Sequence, residues 1–273
     1  MQNMYVYTVA EKKMPEISID ESKMEKEPFG KGELGKVYKG EWGGKDVVIK
    51  VIKGERDEVI RTIEREANTV SLDHPNVIKV FGISTMKSGK VGLVMEWAER
   101  GSLADWVKRL DHEKARNIAL GIIDGLKYVH SKSVIHRNIR PNNILMFGPS
   151  ENDMTPKIAD FGVSKVIEKV MGQTKVGDEL YMAPEVKVYS QHSYPADIFS
   201  LATMLFEMFN QQLILDSSSD VKRFIMAAHN GRIGDFPKGC KVPEYLRKIV
   251  ERGWHENPEK RPSLDEYYST IQG

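Results

Sequence analysis

Three groups of residues in this sequence carry side chains suited to handling phosphate. The run Phe29-Gly30-Lys31-Gly32-Glu33-Leu34-Gly35-Lys36-Val37 spaces its glycines as Gly-x-Gly-x-x-Gly-x-Val. Lacking Cβ atoms, Gly30, Gly32 and Gly35 let backbone amides approach a triphosphate closely. Glycines also punctuate ordinary hairpins, and this run is followed by another strand, not by the helix a dinucleotide fingerprint needs. The second group is Lys50 with Glu66. Lys50 ends the apolar strand Val47-Val48-Ile49, where an inward ammonium is costly unless it meets an anion. Glu66 lies on the helix that follows and can orient that lysine by ion pairing, leaving it to grip the α- and β-phosphates. Judged singly, a surface lysine and a solvated helix glutamate are the commoner case.

The third group decides the matter. His136-Arg137-Asn138-Ile139-Arg140-Pro141-Asn142-Asn143-Ile144-Leu145 is followed by Ala159-Asp160-Phe161-Gly162 and then by Ala183-Pro184-Glu185. Asp160 supplies the hard carboxylate oxygen that Mg²⁺ prefers, and Asn143 adds an amide oxygen. A metal held between them can bridge phosphates and neutralise the charge that develops in phosphoryl transfer. The order of these motifs after a glycine-rich loop, a strand lysine and a helix glutamate leaves no credible competing fold.

The elements that must position these residues follow from periodicity. Residues 1–22 are charged and irregular, with Pro15 interrupting them and a brief alternation at Ile17-Ser18-Ile19 that reads as a strand or an extended tail; no role is assigned to them. From 23 to 97 the texture is strand-like: Val37 to Trp42, a Gly43-Gly44 turn, Val47 to Ile52, and Gly92 to Met95. One helix interrupts it, because Val59, Ile60, Ile63, Ala67 and Val70 recur at helical spacing between Glu58 and Ser71. From 98 to 273 the pattern is mainly helical. Ala115, Ile118, Ile122, Leu126 and Val129 mark one amphipathic face, and Asp197 to Phe209 is apolar nearly all round, as a buried helix should be. The fold class is α+β, a small strand-rich lobe before a larger helical one, with the cleft between two such lobes as the natural ligand site.

Composition narrows the setting. The 273 residues suffice for a substantial core without disulfides or a structural metal. Forty basic against thirty-nine acidic residues leave no global positive field, and no basic stripe is evident, which disfavours nucleic acid as a partner. No stretch of about 18 apolar residues occurs, so no membrane insertion is expected. The lone Cys240 rules out an internal disulfide framework and fits a reducing, cytoplasmic location.

On these motifs the chain resembles the protein kinase family from about Lys23 to Ile271. Glu41-Trp42, Val48-Ile49-Lys50, His74-Pro75-Asn76, Gly101-Ser102-Leu103, Tyr181 to Glu185, Asp197 to Ser200 and Pro258 to Pro262 are most similar to the tyrosine-kinase-like group of serine/threonine kinases. The resemblance implies a bilobal fold: an antiparallel sheet with one helix as the N-lobe, a mainly helical C-lobe, and ATP with Mg²⁺ as cofactors. It implies a hinge at Glu96-Trp97-Ala98 that hydrogen-bonds adenine, Met95 as gatekeeper, Val37 and Val48 above the base, and Leu145 below it. Val70, Val80, His136 and Phe161 would stack as a regulatory spine, Glu185 would pair with Arg261, and Asp197 would anchor the catalytic loop. A protein substrate is implied, with serine or threonine as acceptor because Arg140-Pro141 follows that pattern, or else a signalling partner. Thr174 and Ser164 are the candidate activation-loop phosphosites whose phosphate would meet Arg137.

Two departures stand out. Asn138 occupies the position of the catalytic aspartate, and an amide cannot act as that base. Gly177-Asp178-Glu179 stands where relatives commonly read Gly-Thr. One reading has Asp178 pairing with Arg140 and accepting from the Asn138 amide, which would plug the substrate-hydroxyl site and make the domain a pseudokinase. The alternatives are that Asn138 was engineered to silence the enzyme, or that Asp178 imitates a phosphate. Val48 in place of alanine and Leu34 in place of an aromatic should not abolish nucleotide binding. The interval from Glu66 to His74 is one residue short, which leaves Glu64 as a fallback for Glu66.

Overall fold

The computed structural model describes residues 14–32, 35–65, 72–160, 178–231 and 235–273. The chain divides into two compact units: the described residues of Met1–Ser71 with Lys79–Trp97, and Leu72–Ile78 with Ala98–Gly273.

Among the described residues the first unit is a five-stranded antiparallel sheet with one α-helix beside it. Its strands are β1 (Gly30–Gly32), β2 (Gly35–Trp42), β3 (Lys45–Ile52), β4 (Val80–Thr85) and β5 (Val91–Glu96), in the spatial order β1-β2-β3-β5-β4. Helix α1 spans Arg56–Arg65, and the rest of the helical pattern expected up to Ser71, with Glu66, falls outside the described residues. The β2–β3 turn is Gly43-Gly44, both at positive φ, as the sequence suggests. Gly35 is obligatory for a different reason: a Cβ there would stand 1.7 Å from the Val51 carbonyl oxygen, an overlap no side chain could relieve.

Alternation along β3 sends Val47 and Ile49 to one face and Val48 and Lys50 to the other. Val47 and Ile49 are fully buried and form a cluster with Met86 and Val94. The N-terminal segment closes over that cluster. Ile17 N donates to the Ile83 carbonyl at 2.8 Å, Ile83 N donates to the Pro15 carbonyl at 2.9 Å, and further on Glu25 N donates to Lys39 at 2.9 Å. Ile17, Ile19 and Met24 pack into the cluster beside Trp42 and Phe81. The alternation at Ile17-Ser18-Ile19 is therefore extended backbone joined to β4 by a single parallel bridge, Glu16 to Ile83.

The second unit is mainly helical. Its elements are α2 (His112–Ser131), the ribbon β6 (Ile144–Ser150) and β7 (Asp153–Ile158), α3 (Pro184–Tyr189), α4 (Tyr194–Asn210), α5 (Ser219–His229), α6 (Glu244–Gly253) and α7 (Leu264–Gln272). Helix α2 starts where the Asp111 side chain accepts from Lys114 N at 2.8 Å, an N-cap worth about 1 kcal/mol. The face read from the sequence, Ala115, Ile118, Ile122, Leu126 and Val129, is buried. Helix α4 is buried from Ala196 through Asn210, so it forms the axis of the unit. Phe199 and Phe206 on it are fully buried, each contributing roughly 1.5–3 kcal/mol by leaving water. The fold class is as expected: an antiparallel sheet unit with one helix, and a mainly helical unit. Among the described residues no helix is long and apolar enough to cross a membrane.

Candidate active site

In the first unit the strand register gathers four of the sequence-predicted residues on one face. Val37 pairs with Lys50, Lys50 with Leu93, and Val48 with Met95. Residues directly opposite in an antiparallel pair share a face, so Val37, Val48, Lys50 and Met95 lie together, with Gly30 opposite Val37 on β1. That face is the reverse of the one covered by the N-terminal segment. Lys50 is only 5% exposed, a burial that an ammonium tolerates only with anionic company. Its proposed partner Glu66 lies outside the described residues, and the fallback Glu64 lies on α1. Glu96 ends β5, and its carboxylate accepts from Lys79 N at 2.7 Å while its own amide donates to Lys79 O at 3.1 Å. Trp97 receives the edge of Phe29 at 5.3 Å and the Lys39 ammonium at 4.7 Å. Gly32 is on β1, and Gly35 begins β2.

In the second unit the stretch from His136 is held by Asp197, which is fully buried on α4. Its Oδ1 accepts from Arg137 N at 2.8 Å, and its Oδ2 accepts from His136 N at 2.8 Å and meets His130 Nε2 at 2.9 Å. Charge-assisted bonds to two consecutive backbone amides fix where the loop starts. His136 adds a second clamp: its Nδ1 accepts from Asn138 N at 3.2 Å and its Nε2 lies 2.9 Å from the Ala159 carbonyl. Accepting at Nδ1 places the proton on Nε2. Burial pushes the His136 pKa down despite the nearby Asp197 carboxylate, which keeps the ring in that neutral form.

Asn143 and Asp160 are brought together by the main chain. Ala159 N, one residue before Asp160, donates to the Asn143 carbonyl at 2.8 Å. The Asn143 side chain is 7% exposed, and its Nδ2 donates to the Asn138 carbonyl at 2.7 Å. That bond turns the amide so that Oδ1 is the atom left to accept, and Oδ1 is the ligand a hard cation takes. An oriented amide oxygen and a carboxylate tied to it through one backbone bond fit Mg²⁺. Arg137 and Asp160 both adopt left-handed backbone, φ 72° and 66°, which costs an ordinary residue about 1 kcal/mol or more. Strain at these two positions accompanies a loop whose geometry is otherwise fully determined. Leu145 sits on β6, bridged to Ser102 and paired with Lys157, and Ala98 opens the unit, its carbonyl accepting from Gly101 N at 3.3 Å.

The segment after residue 177 is bolted to α4 and to the C-terminal region. Arg261 donates to both Glu185 oxygens, at 2.6 and 2.8 Å, and to the Pro195 carbonyl at 2.9 Å. This is the pair the sequence implies. Sequence reasoning missed a second anchor. The Tyr181 hydroxyl lies 2.9 and 2.8 Å from the two oxygens of Glu207, which also accepts from Ile214 N at 2.8 Å. Burial lifts the Glu207 pKa to about 7, with these bonds pulling the other way, and burial likewise raises Tyr181. Ser200 Oγ fixes the same tyrosine through its carbonyl at 2.7 Å. A carboxylate inside an otherwise apolar helix is the signal that could have found it. Asp178 begins a short 3-10 turn, Asp178–Leu180. Its side chain, together with Val70, Phe161, Ser164 and Thr174, lies outside the described residues.

A sheet unit presenting a buried lysine, and a helical unit in which one aspartate fixes a His-Arg-Asn loop beside an Asn–Asp pair, define a protein kinase domain. The family profile for that domain matches residues 24–270, and the chain belongs to the protein kinase family. It is 33% identical over 262 residues to human mitogen-activated protein kinase kinase kinase 7, covering 92% of this chain and 41% of that protein. It is 29% identical over 265 residues to a probable serine/threonine-protein kinase of Dictyostelium discoideum, covering 92% of this chain and 19% of that protein. The chain spans less than half the length of these curated relatives.

Proposed function

We propose that this domain binds ATP with Mg²⁺ and transfers the γ-phosphoryl group to a serine or threonine hydroxyl of a protein, at a rate limited by Asn138. The observation that carries this reading is a loop held by Asp197, His136 and Asn143 in which the side chain at 138 is an amide. The N-lobe, residues 23–97, would hold the nucleotide through Gly30, Gly32, Gly35, Val37, Val48 and Lys50, with Glu66 orienting the lysine and Met95, Glu96 and Ala98 facing the base. The C-lobe, residues 98–273, would supply Leu145 beneath the base, Asn143 and Asp160 as metal ligands, and Arg140 beside the acceptor. When bound, Mg²⁺ would offset charge on the phosphates. Lys50 would position the phosphates, and the Asn138 amide could hold a substrate hydroxyl but not take its proton. Loss of that base removes about 10²- to 10⁴-fold in rate while positioning and electrostatics remain. A signalling role in a reducing, cytoplasmic setting fits the lone Cys240.

A second reading is supported by the coincidence of Asn138 with Asp178, two departures at positions expected to touch. In it the domain is a pseudokinase whose nucleotide-bound shape is presented to a partner. The test is Mg²⁺-dependent transfer from labelled ATP to a generic serine/threonine substrate by the parent, by Asn138→Asp, and by Asn138→Asp with Asp178→Thr. Turnover restored by either variant supports the kinase reading. A silent double variant that still binds ATP overturns it in favour of the pseudokinase.

A further inference from the structure

Apart from the residues of the proposed kinase site, the second unit holds a cavity of about 370 Å³ where the end of α4, the start of α5 and residues 237–241 meet. It shares no lining residue with the catalytic loop or with the face that carries Lys50. Its volume lies at the lower end of the roughly 300–1,000 Å³ usual for small-molecule sites. Val221 and Pro237 give it an apolar wall, with the fully buried Phe206 packed behind it.

The rim is cationic. Lys108, Lys238 and Lys241 line it, and no acidic residue does so among the described residues. The three charges differ in how far they are already satisfied. Lys108 Nζ lies 2.9 Å from Asp216, so its charge is largely matched. Lys241 Nζ donates to the neutral Gln211 side chain at 2.7 Å, which orders the ammonium without cancelling it. Its backbone is fixed as well, Lys241 N donating to Asn210 Oδ1 at 3.0 Å. Lys238 has no ion pair among the described residues. Two uncompensated ammonium groups at the mouth of a half-apolar cavity attract a compact, multiply charged anion. The basic residues that line the cavity among the described residues are lysines, and lysine binds phosphate as a point charge.

We propose that this cavity is a binding site for a small phosphomonoester with an apolar or aromatic body, its phosphoryl group between Lys238 and Lys241 and its body against Val221 and Pro237. Phenyl phosphate is the probe, titrated calorimetrically into the whole chain at low salt and repeated at higher salt. The parent binds it, more weakly as salt rises. Lys238→Gln with Lys241→Gln lowers the affinity at least about tenfold, with unchanged thermal stability because both side chains are exposed. Val221→Trp, which fills the cavity, lowers it without altering charge. Lys50→Met, which disables the proposed nucleotide site, leaves it unchanged, so failure of this site and failure of the kinase reading are separable. Phenylacetate, with one charge and a carboxylate, binds at least about tenfold more weakly. The proposal is overturned if the parent does not take up phenyl phosphate, if the double lysine variant binds it as the parent does, if Lys50→Met abolishes binding, or if phenylacetate binds equally well.

Discussion

Under the proposed function, the supports of the loop from His136 to Leu145 and the residue it carries at 138 make opposite statements about activity. Among the described residues the loop is firmly held: Asp197 accepts from two backbone amides and meets His130, His136 clamps Asn138 N and Ala159 O, and Asn143 spans from Arg140 to Ala159. At the position that the proposed reading makes reactive stands Asn138, whose backbone takes part in that network and whose side chain is an amide, not an acid. The supports act through backbone amides and carbonyls, which are the same whichever residue occupies 138. Geometry of the loop therefore tests folding and ligand placement, and only the side chain tests proton transfer.

That separation can be broken or sharpened by mutation. The largest effect expected on stability is from Asp197→Ala, which leaves the His136 and Arg137 amides buried without an acceptor. At about 1–3 kcal/mol for each unsatisfied group, urea unfolding should show a loss of about 3–5 kcal/mol. A loss below about 1 kcal/mol would mean the loop does not depend on this anchor.

Arg261→Met comes next. It strips the partner from Glu185, which is 11% exposed in its side chain, and breaking a buried pair costs about 3–5 kcal/mol when one charge is left behind. Residual exposure of the glutamate places the expected loss near the lower end, about 3 kcal/mol. The neutral double variant Glu185→Leu with Arg261→Met should recover part of it, measured by the same unfolding curves.

Glu207 gives a pH signature. Its folded pKa of about 7 lies above its ordinary 4.5, so between those values the folded state keeps a proton that the unfolded chain releases. Stability from this group is present below about 4.5 and is lost as pH rises through about 7. His229, lowered to about 3 by burial, works in the opposite sense: its contribution is present above 6.5 and is lost as pH falls toward 3. Glu207→Gln should remove the first slope and leave the second, changing the difference in stability between pH 5 and pH 7 by about 1–3 kcal/mol. An unaltered slope in that variant would place the titration elsewhere.

The smallest effect lies in the other unit. Gly82→Ala puts a Cβ 2.3 Å from the Pro15 carbonyl oxygen, pushing the N-terminal segment off β4. Overpacking of this kind costs about 1–3 kcal/mol, and exposure of the segment at the low end of that range should appear as faster amide exchange at Ile17 and Ile83.

What could be read beforehand follows the same division. Phosphate and metal chemistry restrict residue type and spacing so tightly that Lys50, Asn143 and Asp160 stand out as candidates; strand alternation puts Val48 and Lys50 on one face, while Met95 joins them through the β3–β5 register, which alternation does not carry. The pair Tyr181 and Glu207 was not legible, because a helical period reports a buried stripe and says nothing about which far residue satisfies one carboxylate within it. The N-terminal segment was not legible either. Its contribution is two backbone bonds to β4, one to β2 and three side chains laid on a sheet, a pattern too short to carry a period. The α-helix from Glu58 was readable in kind, through Val59 and Ile63, which are buried on α1.

The most direct test of the central claim measures ATP affinity and single-turnover phosphoryl transfer on the same preparations of the parent and Asn138→Asp. The account predicts unchanged Mg²⁺-dependent ATP affinity and a transfer rate higher by about 10²- to 10⁴-fold in the variant. Equal transfer rates in the two proteins, or a parent that does not bind ATP, would contradict it.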